Sequence, residues 1–377
     1  MQIGIVGSGA MGSGIAQVAA QNGCQVILFD TQQIALDKAL GSIEKNLDKA
    51  VEKGKMTEGG KKACMANLKT AANINELANC DWVIEAIIED LTIKKQLFRD
   101  LEDVVSDNCI LATNTSSLSV TALASACRKP ERVLGIHFFN PPPLMALVEV
   151  IPALQTDADW PHRVCEILKT WKKTPVLAKD TPGFIVNRIA RPFYSEALRI
   201  YDEGIADMAT IDWAMTYFGG FKMGPFALMD FIGHDINYRV TEGMFFSFFG
   251  EPRYKPSFTQ KRLFDAGFYG RKVGKGFFDY NQSLPEPIKD VVLGQKIFNR
   301  ILSMLINEAA DALFWNIASA DDIDLAMTKG VNYPKGLLAW GAEMGYETIV
   351  EQLDDLYDFY HEERYRCSPY LRQKIKK

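Results

Sequence analysis

Apolar and polar positions fall into short alternating blocks along the first half of the chain. Residues 2–7 (QIGIVG) are a run of branched apolar residues and predict a buried strand. A helical pattern follows from residue 10 to about 21, and 25–30 (QVILFD) predicts a second strand, so the chain opens β-α-β. Residues 31–68 form a long, polar, helix-prone arm. Further apolar runs at 82–87, 109–114, 132–139 and 146–151 predict strands. Helical segments at 91–105 and 119–126 separate them, and another at 157–171 closes the series. Strands alternating with helices predict a doubly wound, mostly parallel sheet of the Rossmann-like α/β class. After 180-DTPGF-184 the alternation stops and helical periodicity runs to the C-terminus, which predicts a domain boundary near residue 180 and an all-α second part.

That second part repeats itself. A shift of 112 residues (299 − 187) aligns residues 187–233 with 299–345 without a gap, giving 15 identities in 47 pairs. Asn187-Arg188-Ile189 meets Asn299-Arg300-Ile301, and Glu196-Ala197 meets Glu308-Ala309. The expected organisation is a Rossmann-like domain over 1–180, a helical unit over 181–281, and a second, degenerate copy over 288–377, with 281-NQSLPEP-287 as linker. Two copies are too few for a solenoid and point to paired, pseudo-symmetric packing.

Composition narrows the class. The chain is 47% hydrophobic and 24% charged with a net charge of −5, which gives no electrostatic case for nucleic acid. No apolar run approaches a membrane span, and the N-terminus lacks the pattern of a signal peptide. The seven cysteines are scattered and include no CxxC pair. A cytoplasmic protein with no disulfide framework and no metal site is expected.

Gly7-Ser8-Gly9-Ala10-Met11-Gly12 reads G-x-G-x-x-G, and the second strand ends in Asp30. The motif follows a strand and opens a helix, which is the context that turns a weak pattern into a dinucleotide fingerprint. Gly7 permits the tight turn, Gly9 lets backbone approach a pyrophosphate, and Gly12 lets helix and sheet close up. Asp30 is placed to accept the ribose hydroxyls and repel a 2′-phosphate, favouring NAD over NADP. The competing reading is a glycine turn with a capping aspartate.

In 135-GIHFFNPPPLMALVEV-150, His137 ends one apolar strand and Glu149 sits in the next. A carboxylate on an apolar face is costly unless paired, and an imidazole is a natural partner. Oxidation of an alcohol by NAD needs such a base. Spacing alone leaves the choice between a core histidine with a strand-edge carboxylate and a catalytic pair open.

The motifs GxGxMGxGIA, EAIIEDLxxKxxLF, NTSSLS, GIHFFNPPPLMxLVEV and DTPGFIVNR, in unbroken order over residues 1 to about 280, resemble the L-3-hydroxyacyl-CoA dehydrogenases, most of all the bacterial 3-hydroxybutyryl-CoA dehydrogenases. The resemblance implies reversible NAD-dependent oxidation of a 3-hydroxyacyl-CoA. His137 then matches the general base, Glu149 its orienting carboxylate, and Ser116 a hydroxyl touching substrate and nicotinamide. Asn187 matches the amide near the thioester, and Asn140 a nicotinamide-side contact. Glu89, Lys94 and Lys272 match cofactor contacts.

The arm corresponds to the family's helical hairpin over CoA. Lys53 matches a CoA-contacting lysine, and Asn46 stands where the family often has serine. Eight lysines and five acids between residues 37 and 69 make the arm locally positive, although a solvated helix face explains them equally well. Two features depart from the pattern. Ala146 replaces a common lysine or proline, and the second helical copy is absent from short members. Short members dimerise through the helical domain, so the copy is expected to stand in for a partner, giving a monomeric pseudo-dimer or a homodimer. Dicarboxylic or longer acyl-CoA substrates stay open. Oxidation of a free hydroxy acid and a non-catalytic NAD-binding role are the competing functions.

Overall fold

The apolar runs of the first half assemble into one eight-stranded sheet in the computed structural model, which describes residues 1–376. The chain divides into two compact units, Met1–Thr181 and the residues from Pro182 onward. The strands are β1 (Gln2–Val6), β2 (Gln25–Phe29), β3 (Leu68–Ala71), β4 (Trp82–Glu85), β5 (Ile110–Thr113), β6 (Val133–Phe138), β7 (Leu147–Pro152) and β8 (Thr174–Leu177). Their spatial order is β3-β2-β1-β4-β5-β6-β7-β8. Every neighbouring pair is parallel except β6 and β7, which run antiparallel. The central strands are buried on both faces, as their branched side chains require.

Six helices complete this unit: α1 (Ala10–Gln21), α2 (Gln33–Glu52), α3 (Glu58–Ala66), α4 (Leu91–Val104), α5 (Val120–Ala124) and α6 (Asp159–Thr170). The arm is α2 and α3. Leu36, Ala39, Ile43 and Leu47 line one face of α2 and join the sheet's core, so the arm is anchored by an ordinary amphipathic stripe. Its lysines lie outward, except that Lys61 is drawn to Glu44 and Asp48. Asp180 of the DTPGF motif accepts hydrogen bonds from the N–H groups of Val120 and Thr121 and from the Ser119 hydroxyl, capping α5.

Strands β3 and β8 go beyond the sequence reading. Each has four residues, too few for a period-two signal, and β8 carries Pro175, which a strand tolerates at a sheet edge.

The second unit is helical: α7 (Val186–Ile189), α8 (Arg191–Asp202), α9 (Met208–Gly219), α10 (Pro225–Ile232), α11 (His234–Ser247), α12 (Phe258–Asp265), α13 (Val291–Phe314), α14 (Ala320–Gly330), α15 (Leu337–Met344), α16 (Tyr346–Tyr360) and α17 (Pro369–Ile375). The 24-residue α13 packs against α8, α9, α15 and α17, and its middle is buried all round. Asp212 accepts the N–H groups of Phe226 and Ala227 at 2.8 Å each, and Asp324 accepts those of Leu338 and Ala339 at 2.8 and 2.9 Å. The same clamp therefore occurs 112 residues apart (324 − 212).

Candidate active site

The three glycines of the first turn differ in what surrounds them. Gly7 has φ 99°, and a Cβ there would come 2.5 Å from the Ala86 carbonyl oxygen. A Cβ on Gly12 would meet the Gly7 carbonyl oxygen at 1.8 Å. A Cβ on Gly9 would meet nothing within 4 Å, so that side of its backbone is open to a ligand. Gly9 caps α1 without a side chain, and Ala10 and Met11 form the first helical turn, leaving its N–H groups to a pyrophosphate. The turn thus fits a dinucleotide on steric grounds.

Asp30 is held by Ser8, whose N–H and hydroxyl both donate at 2.8 Å, and by the N–H of Gln32 at 3.0 Å. Burial disfavours its charge, yet these hydrogen bonds outweigh burial and keep the carboxyl below its ordinary range. Ser8 was not singled out in the sequence. As a variable position of G-x-G-x-x-G it carries no motif signal.

A buried network lies behind the Ser116 loop. Glu85, at the end of β4, is fully buried and accepts hydrogen bonds from Lys94 Nζ (2.6 Å), the Ile87 N–H (2.7 Å) and the Thr113 hydroxyl (2.7 Å). Lys94 Nζ is also 3.1 Å from Glu89 Oε2. The other oxygen of Glu89 accepts the Thr115 hydroxyl, the Ser116 N–H (3.0 Å) and the Ser117 hydroxyl (3.1 Å). Burial opposes the charge of Glu89, but the Lys94 ammonium and these donors hold its carboxyl below the usual range. Lys94 is 1% exposed, so its charge is committed to two carboxylates. It is linked to Ser116 through Glu89. Glu85 escaped the sequence reading although it carried a signal, an acid inside the apolar run WVIEAI.

His137 and Glu149 face each other directly across β6 and β7, because the antiparallel register pairs them. The ring Nδ1 lies 2.7 Å from Glu149 Oε2, with both side chains buried. Phe139 packs beside the imidazole at 4.5 Å between ring centres. Asn114 Oδ1 accepts the Phe138 N–H at 2.9 Å and so ties β6 to the Ser116 loop next to His137. Asn140 is exposed and starts the turn that follows, with a cis bond to Pro141.

The remaining residues belong to the arm and to the second unit. Asn46 is exposed on α2, 3.5 Å from Gln17 Oε1, and Lys53 is exposed at the end of the same helix. Asn187 is half-buried on α7 in the second unit, where its carbonyl accepts Arg191 Nε at 3.2 Å. Lys272, exposed in that unit, pairs with Asp235. Among the described residues no group of three or more His, Cys, Asp or Glu could hold a metal ion, and no helix is long and apolar enough to cross a membrane.

Comparison with known proteins adds names to this geometry. The family profile of the 3-hydroxyacyl-CoA dehydrogenase NAD binding domain matches residues 2–181, and that of the 3-hydroxyacyl-CoA dehydrogenase C-terminal domain matches 183–280 and 297–377. A 3-hydroxyadipyl-CoA dehydrogenase of Escherichia coli K12 is 37% identical, over 99% of this chain and 97% of its own length. A 3-hydroxybutyryl-CoA dehydrogenase of Clostridioides difficile is 41% identical over 75% of this chain and all of its own. The crystal structure of a 3-hydroxybutyryl-CoA dehydrogenase from Escherichia coli K12 superposes with a TM-score of 0.96 at 36% identity, covering 100% of this chain and 98% of that one. With its fold, its dinucleotide turn and nearly its whole length accounted for, the chain belongs to the 3-hydroxyacyl-CoA dehydrogenase family and is an NAD-dependent oxidoreductase of that class.

Proposed function

We propose that the protein interconverts (S)-3-hydroxyacyl-CoA and 3-oxoacyl-CoA, with 3-hydroxybutyryl-CoA and acetoacetyl-CoA as the leading pair, and with His137 as the base. The cross-strand contact of His137 Nδ1 with Glu149 at 2.7 Å carries this reading. Glu149 fixes the ring orientation and assigns proton exchange to Nε2. NAD, when bound, supplies the hydride acceptor. His137 takes the proton of the 3-hydroxyl as the hydride leaves C3, and Glu149 stabilises the imidazolium that forms. Ser116, whose N–H donates to Glu89, would hydrogen-bond the reacting oxygen. Asp30 selects NAD through the ribose. Asn140, Glu89 and Lys272 are proposed at the cofactor, Asn187 at the thioester, and Asn46 and Lys53 on the CoA side.

A dicarboxylic substrate is the second reading. It is favoured by the Escherichia coli 3-hydroxyadipyl-CoA dehydrogenase, which matches over nearly the whole chain. The deciding assay follows NADH consumption with acetoacetyl-CoA, 3-oxoadipyl-CoA, free acetoacetate, and no acceptor. Turnover confined to CoA esters is expected, and its absence overturns the proposal. A reducing cytosol is proposed as the compartment, since the seven cysteines are scattered and include no CxxC pair.

For the assembly state we infer an internal pseudo-dimer. Arg188 pairs with Glu308 at 2.8 Å and Arg300 with Glu196 at 2.6 Å, and each contact is the other's copy under the 112-residue shift. A chain ending near Asn281 should self-associate or lose stability. If it sediments as a monomer as stable as the whole, the inference fails.

A further inference from the structure

The turn from residue 139 to 146, which joins β6 to β7 and carries Asn140, is seated from two sides. On one, the Pro142 ring lies on α1 so closely that a Cβ on Gly14 would come 2.7 Å from the proline Cδ. On the other, Lys173 reaches in from the connection between α6 and β8. Its ammonium donates to the carbonyl oxygens of Pro142 and of Met145, the latter at 2.8 Å. Next to it the Thr174 N–H donates to the Ala146 carbonyl at 2.8 Å. Lys172 adopts a left-handed φ of 58°, and the Lys173 N–H returns to the Leu168 carbonyl at 3.1 Å, so the backbone that launches the side chain is itself fixed.

A half-buried ammonium held by two carbonyls is costly to keep, and a methionine of similar shape would avoid that cost. The two carbonyls belong to one turn, and the turn joins the two catalytic strands. We propose that Lys173 is a positioning residue of the dehydrogenase: it locks the 140–146 turn, and through it the ends of β6 and β7 that present His137, Glu149 and Asn140. This rests on the dehydrogenase reading above. The wild type's own turnover tests that reading, whereas comparison of variants tests the lock.

Burial pushes the Lys173 amine down to about 8. The 140–146 turn and α1 contain no titratable side chain. On β7, Glu149 is engaged by His137. On the lysine's own side, Glu166 is paired with Lys169, and Lys172 is exposed. The lock should therefore weaken as pH rises past 8.

The experiment measures kcat, KM and NADH binding for wild type, Lys173→Met and Lys173→Arg in the oxidative direction across alkaline pH. Lys173→Met should lose roughly tenfold to a hundredfold in kcat, the scale of a small misplacement of reacting groups, with NADH affinity nearly kept. Lys173→Arg, which keeps donors that do not titrate, should recover most of that loss. It should also lack the alkaline fall in kcat that wild type shows near pH 8. Wild-type kcat in Lys173→Met, or equal losses in the Met and Arg variants, overturns the proposal. Should Lys173→Met not fold, the alkaline profiles of wild type and Lys173→Arg decide, and identical profiles overturn it.

Discussion

Replacing Glu149 with glutamine removes one charge and keeps the shape, so it separates the two readings of the His137 pair. Glu149 is completely buried, with an oxygen 2.7 Å from His137 Nδ1. When the ring accepts the substrate proton it becomes an imidazolium beside that carboxylate. Charge centres about 4 Å apart at an effective dielectric of about 20 interact by about 4 kcal/mol. At about 1.4 kcal/mol per decade, that stabilisation is close to three decades of rate. The glutamine carbonyl can still accept the Nδ1–H, so part of the orienting effect survives, and a fall in kcat of roughly a hundredfold to a thousandfold is expected. NADH formation from 3-hydroxybutyryl-CoA reads the loss. NADH binding, followed by fluorescence, should be unchanged, and melting should be unchanged or slightly higher, because a buried charge has been removed. If kcat stays within about threefold while stability drops, the pair is a core contact and the base assignment is refuted.

Further substitutions probe the cofactor turn and the buried network. Asp30→Ser should narrow the preference for NADH over NADPH, and an unchanged ratio in steady-state kinetics would count against Asp30 as the ribose ligand. Because the folded state holds Asp30 below its ordinary range, its carboxylate stabilises the fold above the unfolded value of about 3.9, and that contribution is lost as pH falls below it. Asp30→Asn should therefore flatten the acid side of the stability profile. Lys94→Met leaves the buried Glu85 without its cation and should cost about 3–5 kcal/mol in denaturant unfolding, with most of that recovered in Glu85→Gln/Lys94→Met. A single variant costing under about 1 kcal/mol would refute the pair as a stabilising contact.

The sequence carried these features unequally. Long branched runs and the glycine turn were legible because their signals are local: a strand needs burial on both faces, and Gly12 must lie against Gly7. The pair of His137 and Glu149 was only half legible. Each residue was conspicuous, but their meeting depends on β7 turning antiparallel and on a register set by the turn between them. Glu85 carried the same signal as Glu149, an acid among apolar neighbours, and its partner Lys94 lies on the next helix. Lys173 gave none, since in KTWKKTPV it looks like any solvated lysine, and only the two carbonyls above it set it apart.

The second unit shows the same limit from the other side. Alignment at a shift of 112 matched Arg188 with Arg300 and Glu196 with Glu308, but could not say which arginine meets which glutamate. Arg188 reaches Glu308 and Arg300 reaches Glu196, exchanged across the 112-residue shift, and tyrosines follow suit: Tyr254 donates to Glu308, and Tyr365 to Glu196 at 2.8 Å. A contact and its exchanged image occurring together is the mark of a two-fold relation between like surfaces. Both glutamates are almost fully buried, and each meets two arginines, Arg300 and Arg364 at Glu196 and Arg188 and Arg253 at Glu308. Under the internal pseudo-dimer proposed above, the last quarter of the chain supplies the surface on which the first helical unit closes these pairs.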